Sequence, residues 1–259
     1  MTRFAITCGL LLILWSLPSL LQSQATEPVL VAGVSQNKID IQYSFSGEQL
    51  LLYGAILYPG GAAPDERADI VVVLRGPAKP IILREKRRVA GVWINAESVR
   101  FGSAPGYYAV GSSRPISELV DERTAAIYEL GLRNLQLSPA EFGTNTALQR
   151  FENGLIELNR KRALFVEDPK AVEINRGVLY SARLDIPARV PVGRYVAETF
   201  LVIDGKVLAA ASRDIDIRKS GFERFVARAA ERHGFLYGLA AVLISLGFGY
   251  AASAYFNRR

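Results

Sequence analysis

The sequence has 259 residues, of which half are apolar, and a formal net charge of +6. This length suits one large domain or two small ones. Six of the 31 Lys and Arg residues are Arg3 and five arginines after residue 219, so that residues 26–219 carry 25 cations against 23 Asp and Glu. The charge excess therefore flanks the apolar ends instead of covering a folded face, which argues against nucleic acid as a partner.

The first 25 residues have the pattern of a secretory signal peptide. Arg3 precedes the uncharged, mostly apolar run Phe4–Leu21, and Ser23 and Ala25 place small residues at the −3 and −1 positions of a cleavage site. The alternative is an uncleaved N-terminal anchor, because a run of 18 residues nearly spans a bilayer. We expect cleavage after Ala25.

The segment from Val29 to Phe101 is predicted to consist of strands. Gln49–Tyr58 and Asp69–Leu74 are apolar runs rich in β-branched residues, and the second ends at a Gly-Pro turn signal. An earlier half-buried strand is predicted from apolar residues that alternate with polar ones, namely Ile39, Ile41, Tyr43 and Phe45.

A charged cluster, Arg84–Arg88, lies between the predicted strands Ile81–Arg84 and Val89–Asn95. Arginine forks suit oxyanions, so we consider this cluster a candidate contact for an anion or an acidic partner. The candidate residues are Arg84, Lys86, Arg87, Arg88, Tyr107 and Tyr108. The preferred alternative is a solvated hairpin end or a protected sheet edge. Trp93 is expected in the core.

Residues 115–165 are predicted to be a helical insertion. One helix begins near Ser117 and ends before Gly131, and the segment 138–141 (Ser-Pro-Ala-Glu) has the pattern of a capping box that starts a second. The second helix is predicted to bury one face, formed by Leu148, Phe151, Leu155 and Leu158. We expect both helices to pack against an edge or face of the sheet.

Strands are predicted again in the segments 172–174, 178–186, 196–203 and 206–217. Asp204-Gly205 between the last two is a two-residue hairpin signal, and Tyr195, after a glycine at a strand start, resembles a tyrosine corner. We therefore predict a mainly β fold: an immunoglobulin-like β-sandwich over residues 26–219, of Greek-key order, with the helical insertion at about 115–165.

The C-terminal residues are predicted to meet the membrane. Residues 220–233 form an amphipathic juxtamembrane segment, 234–256 a transmembrane helix of 23 uncharged residues, and 257–259 a cytoplasmic tail. Small residues recur along one face of this helix at spacings of four and three, a stripe that favours helix association: Gly234, Gly238, Ala241, Ser245, Gly249 and Ala252. Export would leave the sandwich in the periplasm, anchored by a single pass in the inner membrane.

Histidine and cysteine chemistry is absent from the predicted soluble domain. His233, the only histidine, lies at the membrane boundary, and Cys8, the only cysteine, falls in the signal peptide. This excludes a histidine triad and a zinc site there. The sequence carries no catalytic or cofactor motif, so we predict no catalytic residue, no cofactor, no metal and no enzymatic activity. A pair of acidic side chains facing across a cleft would be the basis of a hydrolase.

Several segments resemble an uncharacterised family of alphaproteobacterial transmembrane proteins. They are Asp69–Pro77 (DIVVVLRGP), Arg88–Asn95 (RVAGVWIN), Pro105–Val110 (PGYYAV), Gly221–Phe225 (GFERF) and Leu236–Ala240 (LYGLA). The resemblance extends over nearly the whole mature chain and implies no established activity. The family's association with gene neighbourhoods of sulfite-exporter-like permeases implies an accessory role to a transporter.

The sequence therefore favours a non-enzymatic accessory or interaction module for an integral membrane partner. Its predicted partners are membrane lipid and either an integral membrane protein or a second copy of the chain, through the transmembrane helix. The alternative is a tethered domain that binds an anion or another solute at the arginine cluster.

Overall fold

The computed structural model describes residues 27–41, 47–61, 67–139, 145–219 and 222–256. The predicted signal peptide, the predicted tail at 257–259, and Tyr43 and Phe45 of the predicted half-buried strand lie outside the described residues.

Most of the described chain between residues 29 and 219 forms strands, as the sequence predicts. In chain order they are β1 (Val29–Val34), β2 (Lys38–Ile41), β3 (Gly47–Leu57), β4 (Asp69–Arg75), β5 (Ala78–Val89), β6 (Val92–Pro105), β7 (Tyr108–Ser112), β8 (Ser138–Pro139), β9 (Phe165–Asp168), β10 (Val172–Asn175), β11 (Leu179–Pro187), β12 (Gly193–Ile203) and β13 (Lys206–Lys219). The prediction of a mainly β fold is confirmed.

The strands assemble into three sheets. The first has the order β1-β3-β11-β10 and is antiparallel throughout, and the second has the order β2-β13-β12-β4-β7-β9. In the second sheet, β2 runs parallel to β13 and β9 runs parallel to β7. The third sheet is a long β5–β6 hairpin with β8 at its edge.

The core of the sandwich lies between the first two sheets. Leu50 and Leu52 of β3 and Leu184 of β11 pack there against Ile70 and Leu74 of β4. Each of these side chains is almost fully buried. Because side chains alternate along a strand, one face of each sheet supplies this core.

The second sheet is buried on its other face as well. Val71 and Val73 of β4 point away from the sandwich core into a second apolar cluster. All five residues from Ile70 to Leu74 are therefore inaccessible to solvent. A strand covered on both faces needs an unbroken apolar run, which is what β4 has.

The helical insertion supplies the second cluster. Its elements are α1 (Ile116–Leu119), α2 (Glu122–Ile127), a 3₁₀ turn (Leu132–Asn134) and α3 (Asn145–Lys161). Phe151 and Leu155 of α3 are buried against the cluster and Leu148 is partly buried in it, whereas Leu158 is exposed. The predicted packing of the insertion on a face of the sheet is confirmed.

Two predictions about the insertion are wrong in detail. The run from Ser117 to Leu130 contains two short helices instead of one, because Val120 takes an extended conformation and Asp121 caps α2 by accepting a bond from the Thr124 amide, 2.8 Å away. The proposed capping box does not start a helix at Ser138: Ser138 and Pro139 form β8 and pair with β6.

Two turn features predicted from the sequence are present. Asp204 and Gly205 join β12 to β13 with φ values of 48° and 76°, the left-handed pair that a two-residue hairpin requires. Tyr195 is fully buried, and its hydroxyl donates to the carbonyl oxygen of Pro191, four residues upstream, at 2.6 Å. This bond is the defining contact of a tyrosine corner.

The chain ends in two successive helices, α4 (Phe222–Arg232) and α5 (Gly234–Phe256). Their backbones are linked across the junction, because the His233 amide donates to Ala229 and the Tyr237 amide donates to His233. In α5, the side chains of Ala251, Ala254 and Phe256 lie outside the description. Judged on the described residues, no helix combines the length and the apolar content that a membrane crossing needs.

Candidate functional site

The outer face of the β5–β6 hairpin carries the predicted arginine cluster. Opposed residues of an antiparallel pair share a face, and along β5 every second side chain points the same way. The outer face therefore holds Arg84, Lys86 and Arg88 of β5, with Arg100 of β6 opposite Ile82. All four cations are exposed, and none of the residues paired with them across the strands is a carboxylate.

The inner face of the hairpin is different, because α3 covers its base. Leu83 packs into the second cluster, and its Cδ2 lies 3.8 Å from where a Cβ at Gly154 of α3 would be. Farther along the hairpin, Arg150 of α3 reaches Glu85 at 3.1 Å and also contacts Glu97. Both carboxylates of the hairpin are thus neutralised on the inner face.

Arg87 belongs to this inner network and not to the outer face. Its guanidinium lies 3.2 Å from Glu97 and 3.7 Å from Glu85. The structure therefore separates Arg87, which is already paired, from Arg84, Lys86 and Arg88, which point to solvent.

The tip of the hairpin exposes apolar side chains on both faces. Val89 and Val92 flank the turn, and Trp93 and Ile94 follow. Trp93 is 66% exposed, so the prediction that it lies in the core is wrong. The reason is that α3 covers the base of the hairpin, while the strands continue past Glu85 and Glu97 into solvent.

Tyr107 and Tyr108 do not join the cluster, although the sequence analysis grouped them with it. Both are inaccessible to solvent and point to opposite faces of the second sheet, Tyr107 into the sandwich core and Tyr108 into the second cluster. Their hydroxyls donate to the carbonyl oxygens of Asp185, at 2.6 Å, and Glu129. Burial raises the pKa of both phenols above the usual range. They are core residues and not ligand contacts.

Neither the apolar tip nor Arg100 is among the residues predicted from the sequence. A signal was available, because Ala90-Gly91 between Val89 and Val92 is a compact turn between two β-branched residues. In the structure Ala90 and Gly91 have φ values of 47° and 85°, as in a two-residue hairpin. That turn places Val89 opposite Val92 and Arg88 opposite Trp93.

A groove of about 730 Å³ lies beside α3 and the 3₁₀ turn, and three glutamates line it. Glu167 accepts a bond from the Leu132 amide at 2.9 Å, and Glu157 pairs with Lys161 at 3.5 Å. Burial raises the pKa of the third, Glu152. Two of the three carboxylates are thus engaged in contacts within the insertion and its flanking strand.

The stripe of small residues lies along one face of α5, as the sequence predicts. Its glycines Gly234, Gly238 and Gly249 have open space where a Cβ would be, and the Ser245 hydroxyl donates to the Ala241 carbonyl oxygen at 2.8 Å. Every described side chain of α5 is exposed. Among its large apolar side chains, the largest fractional exposures belong to Phe235, Tyr250 and Phe248, at 83%, 79% and 74%.

Comparison with known proteins gives one family match. The family model described as "Putative transmembrane protein (Alph_Pro_TM)" matches residues 29–258, which confirms the resemblance inferred from the sequence. No curated protein matches the chain. The solved structure of Spo0M, a sporulation control protein from Bacillus subtilis, aligns with 80% of this chain at 11% identity and a TM-score of 0.29. The alignment covers 55% of the Spo0M chain, so this chain spans about half of that protein.

Proposed function

The chain belongs to the family described as "Putative transmembrane protein (Alph_Pro_TM)", and on this premise we propose that it is a membrane-anchored periplasmic interaction module without enzymatic activity. In this proposal α5 is a single pass through the inner membrane, the sandwich lies outside, and an integral membrane protein is the partner. A transporter is one such partner, suggested by the family resemblance alone.

The main support for the proposal is that α5 is uncharged and exposes its apolar side chains. The complete segment Gly234–Phe256 has 23 residues without a formal charge, and its described side chains are exposed all around the helix. At a rise of about 1.5 Å per residue, the helix is about 35 Å long, compared with a hydrocarbon core of about 30 Å. Burial in lipid would remove this apolar surface from water.

The stripe along α5 supports helix packing as the mode of docking. Small residues let a second helix approach the backbone closely, which is how helices associate in lipid. The Ser245 hydroxyl already donates to the Ala241 carbonyl oxygen. The stripe therefore offers a partner helix a surface for close packing more than a set of hydrogen-bonding groups. A second copy of the chain is the alternative occupant of the same face.

Leucine substitutions on the stripe test this docking. We expect Gly238→Leu with Ser245→Leu to reduce recovery of the crosslinked partner from native membranes about tenfold, the effect of a loss of about 1.4 kcal/mol. The matched control, Ala240→Leu with Gly247→Leu, adds bulk to the opposite face of the helix and should leave recovery unchanged. Equal recovery with both double variants would contradict docking through the stripe.

Anion or solute binding is the second candidate function, favoured by the exposed cations of the hairpin. The burial of Tyr107 and Tyr108 removes two of its six proposed contacts. Arg87 is paired on the inner face, and the other three cations form a row along a strand instead of converging on a point, which suits a small anion poorly. Calorimetry with small oxyanions at millimolar concentration tests it, and absence of heat would reject it.

We further infer that the sandwich is immunoglobulin-like. The order β1-β3-β11-β10 corresponds to strands A, B, E and D of that fold, and β13-β12-β4 corresponds to G, F and C. The bond from Tyr195, near the start of β12, supports the assignment because a tyrosine corner occurs on strand F. In this scheme the hairpin and the helices are insertions after strand C.

A further inference from the structure

The outer face of the β5–β6 hairpin concentrates positive charge without local compensation. Within the part of the chain that the structure describes, Arg84, Lys86 and Arg100 form no ion pair, and Arg88 donates only to the Gly91 carbonyl oxygen, at 3.2 Å. Alternate residues of a strand are about 7 Å apart, so the cations of β5 form an extended row. Such a row matches an extended anionic surface better than it matches a single small anion.

The tip adds an apolar end to this charged row. Val89, Val92 and Trp93 are 48%, 63% and 66% exposed, and the turn between the two valines consists of the small residues Ala90 and Gly91. Tryptophan favours the boundary between apolar and aqueous layers, because its ring is apolar while its N–H donates a hydrogen bond. Without a charged residue at the turn, this tip can leave water at little electrostatic cost.

From the turn toward the base of the hairpin, the side chains follow the order of layers in a lipid surface. Apolar residues come first, then Arg88 beside Trp93, then Lys86 and Arg84. In a bilayer the apolar layer lies beneath the anionic headgroups, and basic side chains beside an apolar tip extend toward those headgroups. We propose that the hairpin inserts its tip into an anionic lipid surface and binds the headgroups through the outer face.

A lipid surface is favoured over an acidic protein because it would contact the apolar tip and the cations of the outer face at the same time. A protein partner would need an apolar pocket framed by carboxylates in the same depth order. The inference goes beyond the proposed anchoring, but it rests on that proposal for the presence of a bilayer near the hairpin.

Trp93 provides a direct probe of this contact. The other tryptophan, Trp15, lies in the predicted signal peptide, so Trp15→Phe leaves Trp93 as the single indole of the full-length chain. We would reconstitute this chain in phosphatidylglycerol or phosphatidylcholine vesicles whose acyl chains are brominated. We expect the emission of Trp93 to shift to shorter wavelength and to be quenched in phosphatidylglycerol, and to resemble that of a water-exposed indole in phosphatidylcholine.

Charge reversal tests the role of the outer face. Arg84→Glu with Lys86→Glu should abolish the quenching in phosphatidylglycerol, because each cation near an anionic surface contributes about fivefold to binding. The matched control, Lys170→Glu with Arg189→Glu, changes the same net charge at two exposed cations outside the hairpin and should retain the quenching. Equal loss with both pairs, or a water-exposed Trp93 in phosphatidylglycerol, would overturn the proposal.

Two outcomes separate this proposal from the proposed function. If the chain fails to incorporate into vesicles, the proposed anchoring is rejected and the lipid contact with it. If it incorporates but Trp93 stays in water, the lipid contact alone is rejected. Loss of a crosslinked protein from native membranes with the hairpin double variant, together with a water-exposed Trp93 in phosphatidylglycerol, would instead assign the hairpin to an acidic protein partner.

Discussion

Gly54 of β3 lies where two other groups leave no room for a side chain. A Cβ at this position would be 2.0 Å from the Val31 carbonyl oxygen and 2.6 Å from the Tyr180 hydroxyl. We expect Gly54→Ala to destabilise the fold by about 3 kcal/mol, because β1 would have to move away from β3. Urea unfolding of the detergent-solubilised chain, followed by circular dichroism, measures the change.

Gly154 of α3 is the matched control for that substitution. Its Cβ would meet only the Leu83 Cδ2, at 3.8 Å. Because alanine is favoured over glycine inside a helix, Gly154→Ala should raise the free energy of unfolding by about 0.5–1 kcal/mol. A similar destabilisation by both alanines would show that the close approach at Gly54 is not the cause.

Asp69 links stability to pH. Burial alone would raise its pKa, but hydrogen bonds from Arg114 and Ser113 outweigh burial and hold the pKa below its usual range. A carboxyl group with a lowered pKa stabilises the fold above its unfolded pKa of about 3.9, and this contribution is lost as the pH falls through the folded value. Asp69→Asn should therefore cost about 1–3 kcal/mol at pH 7.

The effect of Asp69→Asn on the free energy of unfolding should also depend on pH. Below about pH 4 the carboxyl of the unfolded chain becomes protonated, and the folded carboxyl follows at its lower pKa, so the difference in unfolding free energy between wild type and Asp69→Asn should shrink as the pH falls. Urea unfolding at neutral pH and at acidic pH gives the two differences. A difference that stays constant over this range would mean that Asp69 contributes through packing and not through its charge.

The errors of the sequence analysis at single residues share a cause. Tyr107 and Tyr108 are adjacent in a segment that is buried on both faces, so neither reaches solvent. Trp93 is apolar and lies in a strand, but no layer covers that end of the hairpin. Composition and alternation indicate which residues can be buried, whereas the number of covering layers depends on contacts between distant segments.

At the scale of elements, Arg150 connects α3 to the inner face of the hairpin. Its guanidinium contacts Glu85 and Glu97, and all three side chains are partly exposed, so the ion pairs contribute little to global stability. We expect Arg150→Ala to speed amide hydrogen exchange in the hairpin between residues 85 and 97 and to leave β4 and β12 unchanged. Hydrogen exchange read by mass spectrometry resolves these segments.

Lys161→Ala is the control on the same helix, since it removes the pair between Lys161 and Glu157 without touching the hairpin. Faster exchange in the hairpin with this variant too would attribute the effect to loosening of α3 as a whole.

Elements whose own sequence has a clear pattern could be predicted, whereas elements that form by pairing with a distant segment of the chain could not. The run Asp69–Leu74 and the Asp204-Gly205 turn predict β4 and the β12–β13 hairpin correctly. Ser138-Pro139 has the local pattern of a helix start, yet it pairs with Phe101 and Ser103 of β6. The parallel pairing of β9 with β7 depends on the helical insertion between them, which no local pattern reveals.

For the whole molecule, the proposed topology predicts the accessibility of introduced thiols. The chain after the predicted cleavage site has no cysteine, so a single engineered cysteine reports its own location. Lys170→Cys should react with a membrane-impermeant maleimide in spheroplasts, whereas Arg259→Cys should react only after permeabilisation. Labelling of both positions from the same side would contradict a single pass through α5.

The position of β4 inside the second sheet also affects how the chain folds during synthesis. β4 pairs with β12, which is synthesised long after it, so Ile70–Leu74 has no partner on that side during most of synthesis. An unpaired β-branched run without charge or proline is prone to intermolecular pairing. The nascent chain is therefore open to such pairing until β12 emerges. A truncation before β12 would yield an aggregating fragment, because the edge of β4 that pairs with β12 would stay open.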